Sequence, residues 1–109
     1  MTVKEFKEKA NLTALCLVEP DREIRGGYAG DLLSWVMGRA RADDAWITIM
    51  SNQNILAVAA LSDVACIILA EGVTLDEGVL ETARLKGINV LSSEDDTFKL
   101  CAALRSELL

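Results

Sequence analysis

The sequence predicts an α/β domain, a mostly parallel sheet of about five short strands covered by helices, and three observations carry that expectation. The first is the stretch 45–69, AWITIMSNQNILAVAALSDVACIIL. It runs as a Trp- and Ile-rich segment, a Ser-Asn-Gln-Asn turn, an apolar run over 55–61, a Ser62-Asp63 break and a second β-rich run. That is a strand, a helix and a strand, and both strands are too continuously apolar to have a wet face, as in a parallel sheet packed between helices. Joining parallel neighbours through a helix makes a right-handed crossover, so this segment sets the centre of the layers. The second observation is that helix and strand signals alternate on both sides of it. The third is size: 109 residues at 51% apolar content bury roughly two-thirds of their unfolded surface, enough for one core and one domain, residues 1–109.

The elements follow in order. Thr2-Val3-Lys4-Glu5 is a capping box, opening a short helix with Val3, Phe6 and Ala10 on one face and an end near Asn11. Residues 12–18 (LTALCLV) are a strand stopped by Glu19-Pro20, since proline cannot donate to a ladder. Residues 21–30 are the least regular part, where Gly26, Gly27 and Gly30 relax the backbone and suggest a short strand over 24–29 with a bulge or a close backbone approach. Asp31 is placed as the N-cap of a helix over 32–37 that Gly38 weakens or ends. A polar loop over 39–44 leads into the central unit, with Ser51 or Asn52 able to cap its helix. Thr74 to Glu77 is a second capping box, for a helix carrying Leu75, Val79, Leu80, Ala83 and Leu85 and closing at Gly87. Residues 88–91 (INVL) are the last strand. Ser93 caps a terminal helix whose first turn holds Glu94, Asp95 and Asp96 at the positive end of the dipole, with Phe98, Leu100, Cys101, Leu104 and Leu108 as its apolar side.

The totals exclude several function classes. A net charge of −6 opposes a nucleic-acid surface and an anionic membrane face. There is no basic and apolar leader and no apolar run near the roughly 20 residues that span a bilayer, so the expected location is cytoplasmic. Cys16, Cys66 and Cys101 are an odd set, far apart and flanked by apolar residues, which fits buried thiols better than a metal site or a disulfide frame. Histidine is absent, which removes the commonest general base and metal ligand together. No cofactor or metal is expected.

Candidate sites are correspondingly modest. Ligands of open parallel sheets lie outside the carboxyl ends of the strands, where Ser51, Asn52 and Asn54 leave the central strand. Capping explains Ser51 and Asn52 without a ligand; Asn54 needs capping least. The run Gly26-Gly27-Tyr28-Ala29-Gly30 matches neither a dinucleotide fingerprint nor a P-loop, and Asp31 puts a negative charge where a phosphate would sit. Asp21, Arg22, Glu23 and Arg25 are either functional charges or a solvated surface. The helix over 55–61 has no polar face, so it must be covered all round, by a second chain or by the terminal helices.

Taken as a set, Asp21-Arg22-Glu23-Ile24, Gly26-Gly27-Tyr28, Gly30-Asp31-Leu32-Leu33, Trp46-Ile47-Thr48-Ile49, Asn54-Ile55, Ala57-Val58-Ala59 and Gly87-Ile88-Asn89-Val90-Leu91 resemble the DRTGG domain family over nearly the whole chain, with Glu23-Ile24-Arg25 standing ahead of the paired glycines. The resemblance implies a fold similar to the N-terminal domain of HPr kinase/phosphorylases and a regulatory role, as in domains found beside CBS pairs or ahead of phosphotransacetylase catalytic parts. It also implies a protein partner in anaerobic, hydrogenase-linked redox or acyl-phosphate metabolism.

The leading expectation is a non-enzymatic regulatory or interaction domain forming a homodimer. The alternative is a small-ligand sensor binding a nucleotide or metabolite through Asp21, Arg22, Gly26, Gly27, Asp31, Ser51, Asn52 and Asn54. An enzyme built on Asp21, Arg22 and Asp31 is the third reading.

Overall fold

The computed structural model describes all 109 residues. Five strands, β1 (Thr13–Cys16), β2 (Gly26–Ala29), β3 (Asp44–Thr48), β4 (Cys66–Leu69) and β5 (Val90–Ser92), form one sheet in the order β1-β5-β4-β3-β2. β2 to β5 are parallel neighbours, and β1 closes the far edge antiparallel to β5. The five helices are α1 (Val3–Lys9), α2 (Leu33–Arg39), α3 (Asn54–Ser62), α4 (Glu77–Lys86) and α5 (Thr97–Leu108).

The period-2 alternation of the buried strands sorts the core into two halves. Trp46, Ile67, Leu69 and Val90 meet α2, α3 and α4 through Val36, Ile55, Leu56, Val58, Ala59 and Ala83. Ala45, Ile47, Cys66, Ile68 and Leu91 meet α1 and α5 through Val3, Phe6, Leu100 and Leu104. Every residue of β3, β4 and β5 is buried, which is why those strands carry no polar alternation. Successive right-handed crossovers from β2 to β5 step across the sheet in one direction, which places α2, α3 and α4 on the same face.

Several local expectations hold and several are corrected. The Thr2–Glu5 capping box forms, with Thr2 Oγ1 accepting from the Glu5 N–H and Glu5 accepting from the Thr2 N–H. Gly87 ends α4 in the left-handed region at φ +73°. Asp31 is not the cap of α2, which starts after Leu32 with no side-chain cap and runs through Gly38 to Arg39. Ser51 does not cap α3; Gln53 precedes the helix with no side-chain cap, and Asn52 Oδ1 accepts from the Asn54 N–H, the first of the helix. The second capping box is absent: α4 begins after Asp76, and Thr74 takes no part. Asp96, not Ser93, caps α5, accepting from the Lys99 N–H. Phe98 and Leu85 are exposed rather than buried.

The chain by itself does not cover α3 on every side. α3 lies between α2 and α4 and leaves Ala57, Ala60 and Leu61 in solvent. The terminal helices cannot wrap it, because α1 and α5 pack on the opposite face of the sheet.

Candidate functional site

The residues expected to gather at one site separate along the sheet. Arg22 and Gly26 lie at the amino end of the parallel strands, whereas Asp31, Ser51, Asn52 and Asn54 lie at the carboxyl end. With about 3.3 Å per strand residue, the four residues of β2 alone put roughly 13 Å between the two groups. Asp21, Arg22 and Asp31 therefore do not converge, which removes the enzyme built on them.

Arg22 is a structural clamp. Its Nη2 donates to Asp43 Oδ1 at 3.1 Å, to Asp63 Oδ1 at 2.9 Å and to the Asp63 carbonyl at 2.6 Å. Asp43 and Asp63 are both in the left-handed region, at φ 69° and 55°, and each stands shortly before a central strand. One guanidinium fork thus fixes two turns that feed β3 and β4. Burial works against its charge, but the hydrogen bonds to Asp63 and Asp43 outweigh burial and hold the guanidinium above its ordinary value. Asp21 beside it is exposed.

At the carboxyl end, Asp31 Oδ1 accepts from Thr48 Oγ1 at 2.8 Å and from the Ile49 N–H at 3.0 Å. Trp46 Nε1 donates to the Gly30 carbonyl at 2.9 Å. These bonds lock the end of β2 to the end of β3 and occupy the carboxylate. Asn52 Oδ1 accepts from the Asn54 N–H, a local turn that leaves Ser51, Asn52 and Asn54 on an exposed surface, outside the larger clefts.

The crevice that an open sheet offers arises where neighbouring strands send their chains to opposite faces. Here that place is between β4, which feeds α4, and β5, which feeds α5. It is filled: the Glu71 N–H donates to the Asp95 carbonyl and the Gly72 N–H to the Ser93 carbonyl, so the two loops bind each other. Gly72 sits at φ +73°, and a Cβ there would lie 2.6 Å from the Glu94 carboxylate.

Two other clefts flank the edge strand β2. One, of about 300 Å³, lies between β2 and α5 and includes Arg25, Ile47, Cys101, Leu104, Arg105 and Leu108 in its lining. The other, of about 360 Å³, lies on the α2 side and includes Arg25, Arg39, Arg41 and Asp44. Both reach Gly26, Gly27 and Tyr28. The paired glycines have packing reasons of their own: a Cβ at Gly26 would come 2.7 Å from Asp44 Oδ1, and one at Gly27 would come 2.5 Å from Leu104 Cδ2.

The model of the DRTGG domain matches residues 29–106. The chain belongs to the DRTGG domain family. The matched span begins after Asp21, Arg22 and the paired glycines, so the clamp and the Gly-Gly edge precede it. Among solved structures, this DRTGG domain is similar to the CBS and DRTGG domains of the regulatory region of Clostridium perfringens pyrophosphatase, a structure complexed with the activator diadenosine tetraphosphate. The TM-score is 0.74 at 16% identity, over 94% of this chain and 45% of that one. At that identity the likeness is one of fold, and this chain spans less than half of the other. No curated protein sequence matches significantly.

Two features of the DRTGG domain escape sequence reasoning. Asn89, 2% exposed, accepts at Oδ1 from the Val18 and Glu19 N–H groups and donates from Nδ2 to the Glu19 and Ala65 carbonyls. It ties the chain after β1 to the centre of the sheet. Its only signal is a lone amide in the apolar run INVL. The arginines around β2 come from three separate segments, and only the topology brings them together. The cysteines behave as expected of packed thiols: none is in a disulfide, burial raises Cys16 and Cys101, and burial pushes Cys66 up to about 12. No group of acidic and cysteine side chains forms a metal cluster, and no helix is long and apolar enough to cross a membrane.

Proposed function

We propose that this is a non-catalytic regulatory domain that works as a homodimer, pairing through the outer surface of α2 and α3. One observation carries the reading. In a chain that is 26% charged, residues 32–38 and 45–62 contain no charged side chain at all, yet they expose Leu32, Trp35, Met37, Ile49 and Leu61. α2 and α3 pack side by side, so the two segments make one face with apolar residues and the amides of Asn52, Gln53 and Asn54, free of carboxylates of its own and with the Arg39 guanidinium stacked on Trp35. Depletion of charge in the middle of a patch is the compositional mark of an interface.

A second copy is the occupant that fits. Each copy carries a charge of −6, and this face is where two of them meet without opposing carboxylates. A two-fold pairing presents the same patch to itself, and amide side chains, each both donor and acceptor, are complementary to their own kind. Membership of the DRTGG family and the likeness to a regulatory region support a regulatory role. A client enzyme in anaerobic or acyl-phosphate metabolism would then sense the paired domains.

Sedimentation velocity tests this. The wild type is expected to sediment as a dimer at micromolar concentration, and Trp35→Glu and Leu61→Glu, both at exposed positions, as folded monomers. A wild-type monomer at high micromolar concentration refutes the pairing.

A second reading, effector binding, is favoured by the arginines. Arg25, Arg39, Arg41 and Arg105 line the clefts beside β2, four of six arginines in an acidic chain. The similar pyrophosphatase region was solved with a polyphosphate activator, which supports this reading for the fold. Calorimetric titration with AMP, ATP and diadenosine tetraphosphate tests it, and heats at the dilution baseline for all three would refute it.

A further inference from the structure

The effector reading leaves open where a ligand binds and which part of it is recognised. Resting on that reading, we propose that the groove between β2 and α5 binds a small phosphorylated molecule, its phosphate held between the guanidinium groups of Arg25 and Arg105 and against the outward N–H of Gly27.

The backbone is the first argument. β2 ends the sheet, so it pairs only with β3, and an edge strand leaves every second N–H and C=O without a ladder partner. In a parallel ladder a residue directs both groups to the same neighbour. The Gly30 N–H donates to the Ile47 carbonyl, which assigns Gly30 and Tyr28 to β3 and turns Gly27 and Ala29 outward. Those two residues are the exposed ones along the strand.

The arginines are the second. Arg105 on α5 has no acidic partner within ion-pair distance. Arg25 has one long pair, Nε to Asp43 Oδ2 at 3.5 Å, which leaves its terminal nitrogens free. Two planar forks converging on one groove suit a phosphate better than a single carboxylate, because each fork can bind two oxygens of a dianion. The groove on the α2 side has more arginines, but the Asp44 carboxylate lines it. The α5 groove has no acid in its lining.

Shape is the third. The α5 groove holds about 300 Å³, at the small end of the range for small-molecule sites. Ile47, Leu104 and Leu108 supply an apolar wall beside the arginines, so the groove suits a phosphate carried on a ring or short apolar body.

Cys101 makes the groove observable. It lines the site and is the only cysteine that is not fully buried. The experiment combines calorimetric titration of the full chain with inorganic phosphate, pyrophosphate, AMP and ATP with the rate of Cys101 alkylation at mildly alkaline pH, each with and without probe. The expected result is that at least one probe binds, that Arg25→Ala and Arg105→Ala each weaken it tenfold or more, that Arg84→Ala on α4 does not, and that the bound probe slows Cys101 alkylation several-fold. Both arginines are exposed, so the variants are expected to fold, and circular dichroism checks this. If a probe binds but neither arginine matters and Cys101 is unprotected, the site is wrong and the effector reading survives. If no probe binds, this proposal falls, and the effector reading falls with it when diadenosine tetraphosphate gives no heat either. If binding follows charge alone, with sulfate equal to the phosphates, the groove is a general anion surface and the proposal is overturned.

Discussion

Asn89→Ala should cost this domain more than any exposed substitution, and the amount can be worked from four hydrogen bonds. The side chain accepts from Val18 N–H at 3.0 Å and Glu19 N–H at 2.8 Å, and donates to the Glu19 carbonyl at 2.8 Å and the Ala65 carbonyl at 3.1 Å. At about 1 kcal/mol net per bond the loss is about 4 kcal/mol if all four partners stay unsatisfied. The bonds to Val18 and Glu19 are only partly buried, and water entering there brings the figure to about 3 kcal/mol. The bond to Ala65 is buried and cannot be replaced so easily. Against a total stability of about 5–15 kcal/mol for a chain this size, that is a large fraction. It corresponds to a fall in Tm of about 12 °C. Urea unfolding followed by tryptophan fluorescence measures it directly, with the midpoint moving and the slope unchanged. Asn89→Asp is the sharper companion: it keeps an acceptor for the two N–H groups but points an oxygen at two carbonyls. It should be at least as unstable near neutral pH and should recover as the pH falls and the new acid gains a proton to donate. A loss below about 1 kcal/mol in Asn89→Ala would refute the latch.

Arg22→Ala should destabilise by about 2–3 kcal/mol, the range for losing charge-assisted bonds at a partly buried site, and urea unfolding should show it while the oligomeric state of the folded protein stays unchanged. Gly27→Ala places a Cβ against Leu104 Cδ2, 2.5 Å away, and should cost about 1–2 kcal/mol as an overpacking defect, largely recovered by adding Leu104→Ala. Glu5 is held below the usual carboxylate value by hydrogen bonding, first from the Thr2 backbone N–H and then from its side chain. Its folded value is depressed, so its contribution is present above the unfolded value and is lost as pH falls through the folded one; Glu5→Gln should flatten that acid limb of the stability profile. Cys66, pushed up to about 12 by burial, should resist alkylation in the native state long after Cys101 has reacted, and mass spectrometry of labelled peptides gives the order.

The parallel layer is legible because burial on both faces writes itself into sequence: the strands of 45–69 have no polar alternation, and only a covered sheet tolerates that. The capping box at Thr2 is legible because both partners are local. The departures have separate causes. Asp31 has the chemistry of an N-cap, yet Thr48 and Ile49 offer it two donors from a neighbouring strand, and those tertiary partners are invisible to a local pattern. Thr74 and Ser93 give way to local competitors instead, since Asp76 and Asp96 start α4 and α5 two and three residues later. The apolar run of α3 implies cover on all sides only if each of its residues is large; Ala57 and Ala60 are small enough to face solvent at little cost, and the exposed Leu61 alone carries the excess.

The proposed place of recognition departs from expectation for a topological reason. Expecting a ligand at the carboxyl end of the strands assumes an open crevice where the chain leaves to opposite faces. In this fold that point is between β4 and β5, and the loops there hydrogen-bond to one another through Glu71, Gly72, Ser93 and Asp95. The end of β2 is closed too, by Asp31 on Thr48 and Trp46 on Gly30. With both of those points bridged by hydrogen bonds, the outer edge of β2 is unpaired backbone with arginines beside it. On the two proposals above, the domain would sense at the edge of its sheet and pair on the outer face of α2 and α3. α2 borders both the proposed pairing face and the second cleft, because Arg39 lines that cleft while its guanidinium lies 3.8 Å over the ring of Trp35.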